Sequence, residues 1–351
     1  MLHSKKKKLE VCYFMDLTSC SLKRAVTLGA FLFAGSILAA CGGAGNSLPQ
    51  AAPVQKTPVQ NTKTHAVTHV TKASIPSVMA KLLHATAYYS PMRGQHIRPV
   101  PGLRNTMTSS AGYDLTFNGG PVQTGSSEYA ILVNCNDESC WGGLIGQFLN
   151  DLGGSNMMHI VDQYNAGGTY SFGGDLPTTY DTTNTLQDQD IFNILYSVIT
   201  ANNLTTGYGA EYHIFLGSGV QQCSQAAGGC YAQQYCAYHG SNDWSDIGHV
   251  LYSVEGYQDI QGCQISSGAG SPNGSLVDST SSTLSHEMFE TATDPDVAAN
   301  SIAWYNSTKG EIGDLCAPAA GVPTGSVQLG ANTYEIQSEY SNSVHDCSWS
   351  P

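Results

Sequence analysis

SSTLSHEMFETATDP, residues 281–295, is the stretch on which the reading of this chain turns. Leu284, Met288 and Ala292 recur every fourth position, the spacing of an apolar helix face, and Pro295 marks the end of the helix. His286 and Glu290 are also four apart, so they project from another face, one turn above each other. An H-E-x-x-H helix offers a metal ion two donors in this way, and Glu287 stands at the general-base position of that pattern. Here Glu290 replaces the second histidine. A carboxylate is an ordinary zinc ligand, although each anionic ligand lowers the Lewis acidity left for water.

A third ligand is expected from GEIGDLC at 310–316, where Glu311 and Asp314 are three residues apart and could both face inward on one helical turn. Glu311 is taken as the ligand and Asp314 as the group that orients it, with the reverse assignment left open. With Zn²⁺ held there, Glu287 would shuttle a proton during hydrolysis of a peptide or amide bond. His239 in CAYHG is an accessory candidate, as an alternative metal ligand or a donor to a reaction intermediate, and Tyr305 another, as a partner for a developing oxyanion. His213 reads as a packed strand histidine. Ser285 cannot form a triad with His286, because neighbours on a helix point about 100° apart.

Working outward, EYAILVN (128–134), EYHIFLG (211–217) and HVLYSVEGY (249–257) read as strands. GGLIGQFLNDL (142–152), NMMHIVDQY (156–164) and LQDQDIFNILYSVITANN (186–203) carry apolar residues at helical spacing. Strands and helices alternate in one domain over 82–351. The expected class is α+β with an α/β-like core, a mixed sheet with packed helices.

The N-terminus carries Lys23 and Arg24, the apolar run AVTLGAFLFAGSILAA at 25–40, and then Cys41. That run is short for a membrane span and reads as an export signal. Leu38-Ala39-Ala40-Cys41 resembles a bacterial lipobox, which would leave Cys41 as the lipid-modified first residue of the mature chain. An ordinary signal peptide with an incidental cysteine is the alternative, and Met15 serves as a start as well as Met1. Residues 42–81 are rich in Pro, Gln and Thr and read as a disordered tether to the cell envelope.

Charge and cysteine usage support export. The 351-residue chain has a formal charge of −13. Beyond Arg104 it holds 25 acidic residues against one base, Lys309, a local net of −24. Nothing there could replace the counterions of nucleic-acid phosphates, so a nucleic-acid partner is excluded. Clustered carboxylates without Lys or Arg partners repel one another unless another positive charge sits among them, and Ca²⁺ would also answer that need. Setting aside Cys12, Cys20 and Cys41 leaves Cys135, Cys140, Cys223, Cys230, Cys236, Cys263, Cys316 and Cys347. An even number in an exported chain favours disulfides over a cysteine zinc site. Short loops make Cys135–Cys140 and Cys223–Cys230 plausible; Cys236–Cys263 and Cys316–Cys347 would follow.

SHEMFETATDP, with AWY at 303–305 and GEIGDLC, is similar to the signature region of the Exordium, or phosphate-induced protein, family. NGGPV (118–122), FLNDL (148–152), SNMMHIVDQYN (155–165) and CAYH (236–239) agree in order, so the resemblance covers roughly residues 113–350. It implies an extracellular protein of cell-wall association and a zincin-like metal helix, with His286 and Glu290 as ligand positions and Glu287 as base. TDP at 293–295 and the lipobox depart from the plant pattern. Two functions follow as expectations: a lipid-anchored zinc hydrolase acting on a peptide or envelope polymer, or a non-catalytic envelope module with a structural metal or none.

Overall fold

The apolar runs become neighbouring strands. The computed structural model describes residues 67–69, 88–89, 113–225, 227–265, 270–296, 301–318 and 322–351. The expected leader with Cys41, and all of the expected tether except 67–69, lie outside these residues.

In chain order the strands are β1 (Thr68–His69), β2 (Tyr88–Tyr89), β3 (Thr116–Phe117), β4 (Ser126–Val133), β5 (Tyr170–Thr179), β6 (Ala210–Phe215), β7 (Cys223–Ser224), β8 (Gly229–Cys230), β9 (Ala237–Trp244) and β10 (Gly248–Glu255). β11 (Trp304–Tyr305), β12 (Gly325–Leu329), β13 (Asn332–Ile336), β14 (Glu339–Ser341) and β15 (Asp346–Ser348) complete the set. The α-helices are α1 (Ile145–Gly153), α2 (Asp188–Asn202) and α3 (Ser275–Thr293).

A seven-stranded sheet runs β1-β5-β4-β6-β10-β9-β2. β1, β5, β4, β6 and β10 pair in parallel, whereas β9 is antiparallel to both of its neighbours, so the sheet is mixed and the fold α+β. Thr68–His69 fall inside the stretch expected as a tether, yet they pair with Thr178 and Thr179 and extend the sheet by one edge strand. Three of the four residues Val67-Thr68-His69-Val70 are β-branched, which favours a strand.

Parallel strands need crossover connections, which leave both faces of a sheet covered. In β4, Ile131 and Val133 meet the apolar side of α2 (Ile191, Ile194, Leu195, Val198). Ala130 and Leu132 point the other way, toward α1 and toward Leu284, Met288 and Ala292 of α3. The apolar stripe read in 281–295 is therefore a core contact. The 156–164 segment forms a 3₁₀ turn at Met158–Tyr164 in place of the expected α-helix. No helix among the described residues is long and apolar enough to cross a membrane.

α3 starts at Ser275, six residues before the stretch that revealed it, and is buried on every side from Val277 to Thr293. A helix so rich in Ser and Thr tolerates this because its hydroxyls bond inside the protein. Thr280 Oγ1 donates to Leu276 O, Thr283 Oγ1 to Ser279 O and Thr293 Oγ1 to Phe289 O. Ser282 Oγ accepts the backbone N–H of Gln337. The cysteines pair as Cys135–Cys140, Cys223–Cys230, Cys236–Cys263 and Cys316–Cys347.

Candidate metal centre

The exposed edge of an ordinary amphipathic helix would be free for solvent, but α3 carries its His286/Glu290 face inward, against the sheet and the 310–316 turn. His286 Nε2 lies 3.1 Å from Glu290 Oε1, so the i, i+4 pair meets as the spacing predicts. Asp314, at the start of a 3₁₀ turn, brings Oδ1 to 3.9 Å from His286 Nε2. On the other side of Glu290, His239 Nε2 of β9 lies 3.6 Å from Oε2 and 3.3 Å from Glu311 Oε1. Two buried donor groups result, His286/Glu290/Asp314 and His239/Glu290/Glu311, each with its atoms within 4.8 Å of one another. None of these five residues, nor Glu287, is more than 4 % exposed.

Glu311 and Asp314 are thus not alternatives for one ligand position, as expected from their spacing. Each enters a different group, and His239, read as an alternative ligand, falls in the group with Glu311. Tyr305 stands half-buried on β11, opposite Thr116.

The turn that carries the acids packs closely because a glycine begins it. Gly310 has φ +109°, and a Cβ there would fall 1.9 Å from Asp314 Oδ2. The backbone N–H of Glu311 donates to that same oxygen at 3.2 Å, and the N–H of Asp314 donates to Glu290 Oε1 at 3.1 Å.

Gln337 orients the histidine. Its Nε2 donates to Gly313 O and to Glu339 Oε1, both at 3.2 Å, which turns Oε1 toward His286 Nδ1, also at 3.2 Å. His286 must then donate from Nδ1, and its Nε2 lone pair faces Glu290 Oε1 and Asp314 Oδ1. Acceptor facing acceptor in a buried site is repulsive unless a proton or a cation sits between them. Both ring nitrogens of His239, Glu290 Oε2 and Asp314 Oδ1 have no hydrogen-bond partner.

The electrostatics agree. Burial alone would lower the His286 pKa, but the Glu290, Glu287 and Asp314 carboxylates outweigh it and hold the pKa well above its ordinary value. Burial dominates at His239 and holds it down, as a neutral donor imidazole requires. Burial also pushes Glu287, Asp314 and Glu339 well above the usual carboxylate range, Glu255 to about 7 and Asp294 to about 9. The sole base after Arg104, Lys309, lies over the Tyr113 ring, 5.0 Å from its centroid. The donor types and their unpartnered atoms therefore fit a divalent ion.

Sheet register extends the polar row beneath α3. β6, β10 and β9 align His213, Ser253 and His239 side by side. His213 Nε2 lies 2.9 Å from Glu128 Oε2, its Nδ1 2.8 Å from Ser253 Oγ, and Ser253 Oγ donates to Glu255 Oε1 at 2.8 Å. Both ring nitrogens of His213 are engaged, while Glu211 Oε2, in the third buried donor group Glu128/Glu211/His213, has no hydrogen-bond partner. Ser241, two residues along β9 from His239, borders a cavity of about 350 Å³ with Tyr208, Asp243, His249 and Asp296. Asp296 anchors its wall, accepting from Ser241 Oγ at 2.5 Å and Tyr208 OH at 2.6 Å.

Gln337 and Glu339 escaped sequence reasoning, since nothing local links 337–339 to a helix fifty residues earlier. No protein-family model, no curated protein and no solved structure matches this chain.

Proposed function

We propose that the chain is an exported, metal-dependent hydrolase of peptide or amide bonds, tethered to the cell envelope through lipid on Cys41. The observation that carries the metal is His286 Nε2 aimed at two carboxylate oxygens, with the ring oriented by Gln337. When bound, Zn²⁺ supplies a Lewis acid that polarises a carbonyl and lowers the pKa of water. Glu287 supports catalysis: it is wholly buried, both oxygens lack a partner, and it belongs to neither donor group. Burying a carboxylate without a partner is costly, and such groups concentrate where they move protons. Glu287 would accept a proton from the attacking water and return it to the leaving nitrogen. The cavity bordered by Ser241 would receive the adjacent part of the substrate.

The disulfides support an oxidising compartment. The lipobox and the resemblance to the Exordium family add the envelope location. Mass spectrometry of the mature chain tests the anchor, which requires an acylated Cys41 at its N-terminus.

The decisive experiment compares the full chain with Glu287→Gln for zinc content and for hydrolysis of a peptide mixture. The hydrolase reading requires zinc in both and cleavage by the unmutated chain alone; a zinc-free wild type, or equal cleavage, overturns it. A second reading, a non-catalytic envelope module with a structural metal, is favoured by the burial of every donor. It requires Glu287→Gln to leave all behaviour unchanged while metal removal lowers the melting temperature.

A further inference from the structure

The two donor groups share one residue. Glu290 Oε1 faces His286 Nε2 at 3.1 Å, and Glu290 Oε2 faces His239 Nε2 at 3.6 Å, so the two oxygens of a single carboxylate point to different imidazoles. Each half then adds its own acid, Asp314 Oδ1 at 3.9 Å from His286 and Glu311 Oε1 at 3.3 Å from His239. Donors around one zinc ion, at bond lengths near 2.0–2.2 Å in a tetrahedron, stand about 3.3 Å apart. The four separations cluster around that value within each half. The two imidazoles enter separate groups.

Charge points the same way. Glu290, Glu311 and Asp314 bring three carboxylates, and Glu287, Glu339, Asp294 and Glu255 are buried around them. Lys309 is engaged with Tyr113, so among the described residues after Arg104 no lysine or arginine offsets them, and the basic side chains facing the three carboxylates are His286 and His239. One divalent ion bound by His286, Glu290 and Asp314 would leave the buried His239 imidazole facing Glu290 and Glu311 with no hydrogen bond at either nitrogen.

We infer that the centre takes two divalent transition-metal ions, one held by His286 and Asp314 and the other by His239 and Glu311, with Glu290 bridging them. This rests on the metal reading above and deepens it. Paired ions about 3.5–4 Å apart are the arrangement that clamps both the attacking and the leaving atoms in hydrolases and phosphatases. The arrangement also makes β9 a metal-bearing strand, so that the sheet supplies one of the five donor residues and α3 with the 310–316 turn supplies the other four.

The test is stoichiometry. The full chain is stripped with a chelator, reloaded with Zn²⁺, freed of excess and analysed for metal per chain. Two ions are expected, falling to one in His239→Ala and to one in His286→Ala, and to one or none in Glu290→Gln. A wild type with one ion that survives His239→Ala overturns the bridge and leaves the metal reading standing; a wild type with none overturns both. Reloading the unmutated chain with Mn²⁺ gives a check that needs no variant to fold. Electron paramagnetic resonance should show an exchange-coupled pair, and an isolated six-line signal at full loading overturns the inference.

Discussion

Gly313 lies flat against the imidazole of His286: a Cβ built on Gly313 would come to 2.6 Å from Nδ1 and 2.9 Å from Cε1. The contact is to a ring already held by Gln337, so the ring cannot yield without losing that bond. Gly313→Ala should therefore rotate His286 away from Glu290 and lower zinc affinity at least about tenfold, the lower end for disturbed orienting contacts. A competition titration with a chromophoric chelator measures it. Unchanged affinity in a folded variant would show that the ring does not bind the ion.

Gln337→Leu tests orientation without adding bulk to the turn. Losing the Oε1 acceptor frees the His286 tautomer and leaves Gly313 O and Glu339 without their donor. Affinity should drop by about 10–100-fold. Gln337→Glu keeps an acceptor and should recover part of the loss.

The metal-free chain should lose stability as pH rises. Asp294 is held near 9 by burial and by Glu311, against 3.8 for an ordinary aspartate. The folded chain thus keeps a proton that the unfolded chain releases, so its contribution declines from about pH 4 to about pH 9. Glu255, raised to about 7, acts with the same sign over a narrower window. His286, raised from 6.5, also loses its stabilising share as pH climbs, while His239, held low, opposes them only below 6.5. Metal displaces the proton of its ligand His286, so its stabilising effect grows with pH. Calorimetry at pH 5 and 8.5 should give the higher melting temperature at pH 5 without metal, and the larger metal-induced rise at pH 8.5. The reverse ranking of the stripped chain would refute the burial of these acids.

Cys316–Cys347 spans 31 residues and closes two positions after Asp314, whereas Cys135–Cys140 spans only 5, far along the chain from any donor. Loop-closure entropy assigns about 3–4 kcal/mol to the first bridge and about 2 kcal/mol to the second. Replacing Cys316 and Cys347 by Ser should cost the larger amount and weaken metal binding as well. Denaturant melts beside zinc titrations separate the two effects, and equal losses from both bridges would contradict this reading.

What could be read in advance was local. His286 and Glu290 are one helical turn apart, so spacing alone brings them together, and Leu284, Met288 and Ala292 announce the buried face. His239 enters from β9 only because strand register sets it beside Ser253 and under Glu290, a placement no local periodicity encodes. Glu311 and Asp314 read as competitors because a three-residue spacing does not reveal that their carboxyls reach different histidines. β5 stayed hidden behind Gly173, Gly174 and Pro177, which resemble turn punctuation. The first six residues of α3 have no apolar stripe, since their hydroxyls supply the satisfaction that apolar packing gives elsewhere.

That all-round enclosure of α3 has a price in evolvability. A helix with a wet side can drift there freely, but each residue from Val277 to Thr293 meets protein, and many answer a specific bond. Random substitution should find this segment among the least forgiving of the chain, while tolerant positions gather on surfaces such as the outward residues of the β12–β13 hairpin. The donors would thus be inherited as a block with their scaffold, and a change of chemistry would come more easily from the bordering cavity than from the helix itself.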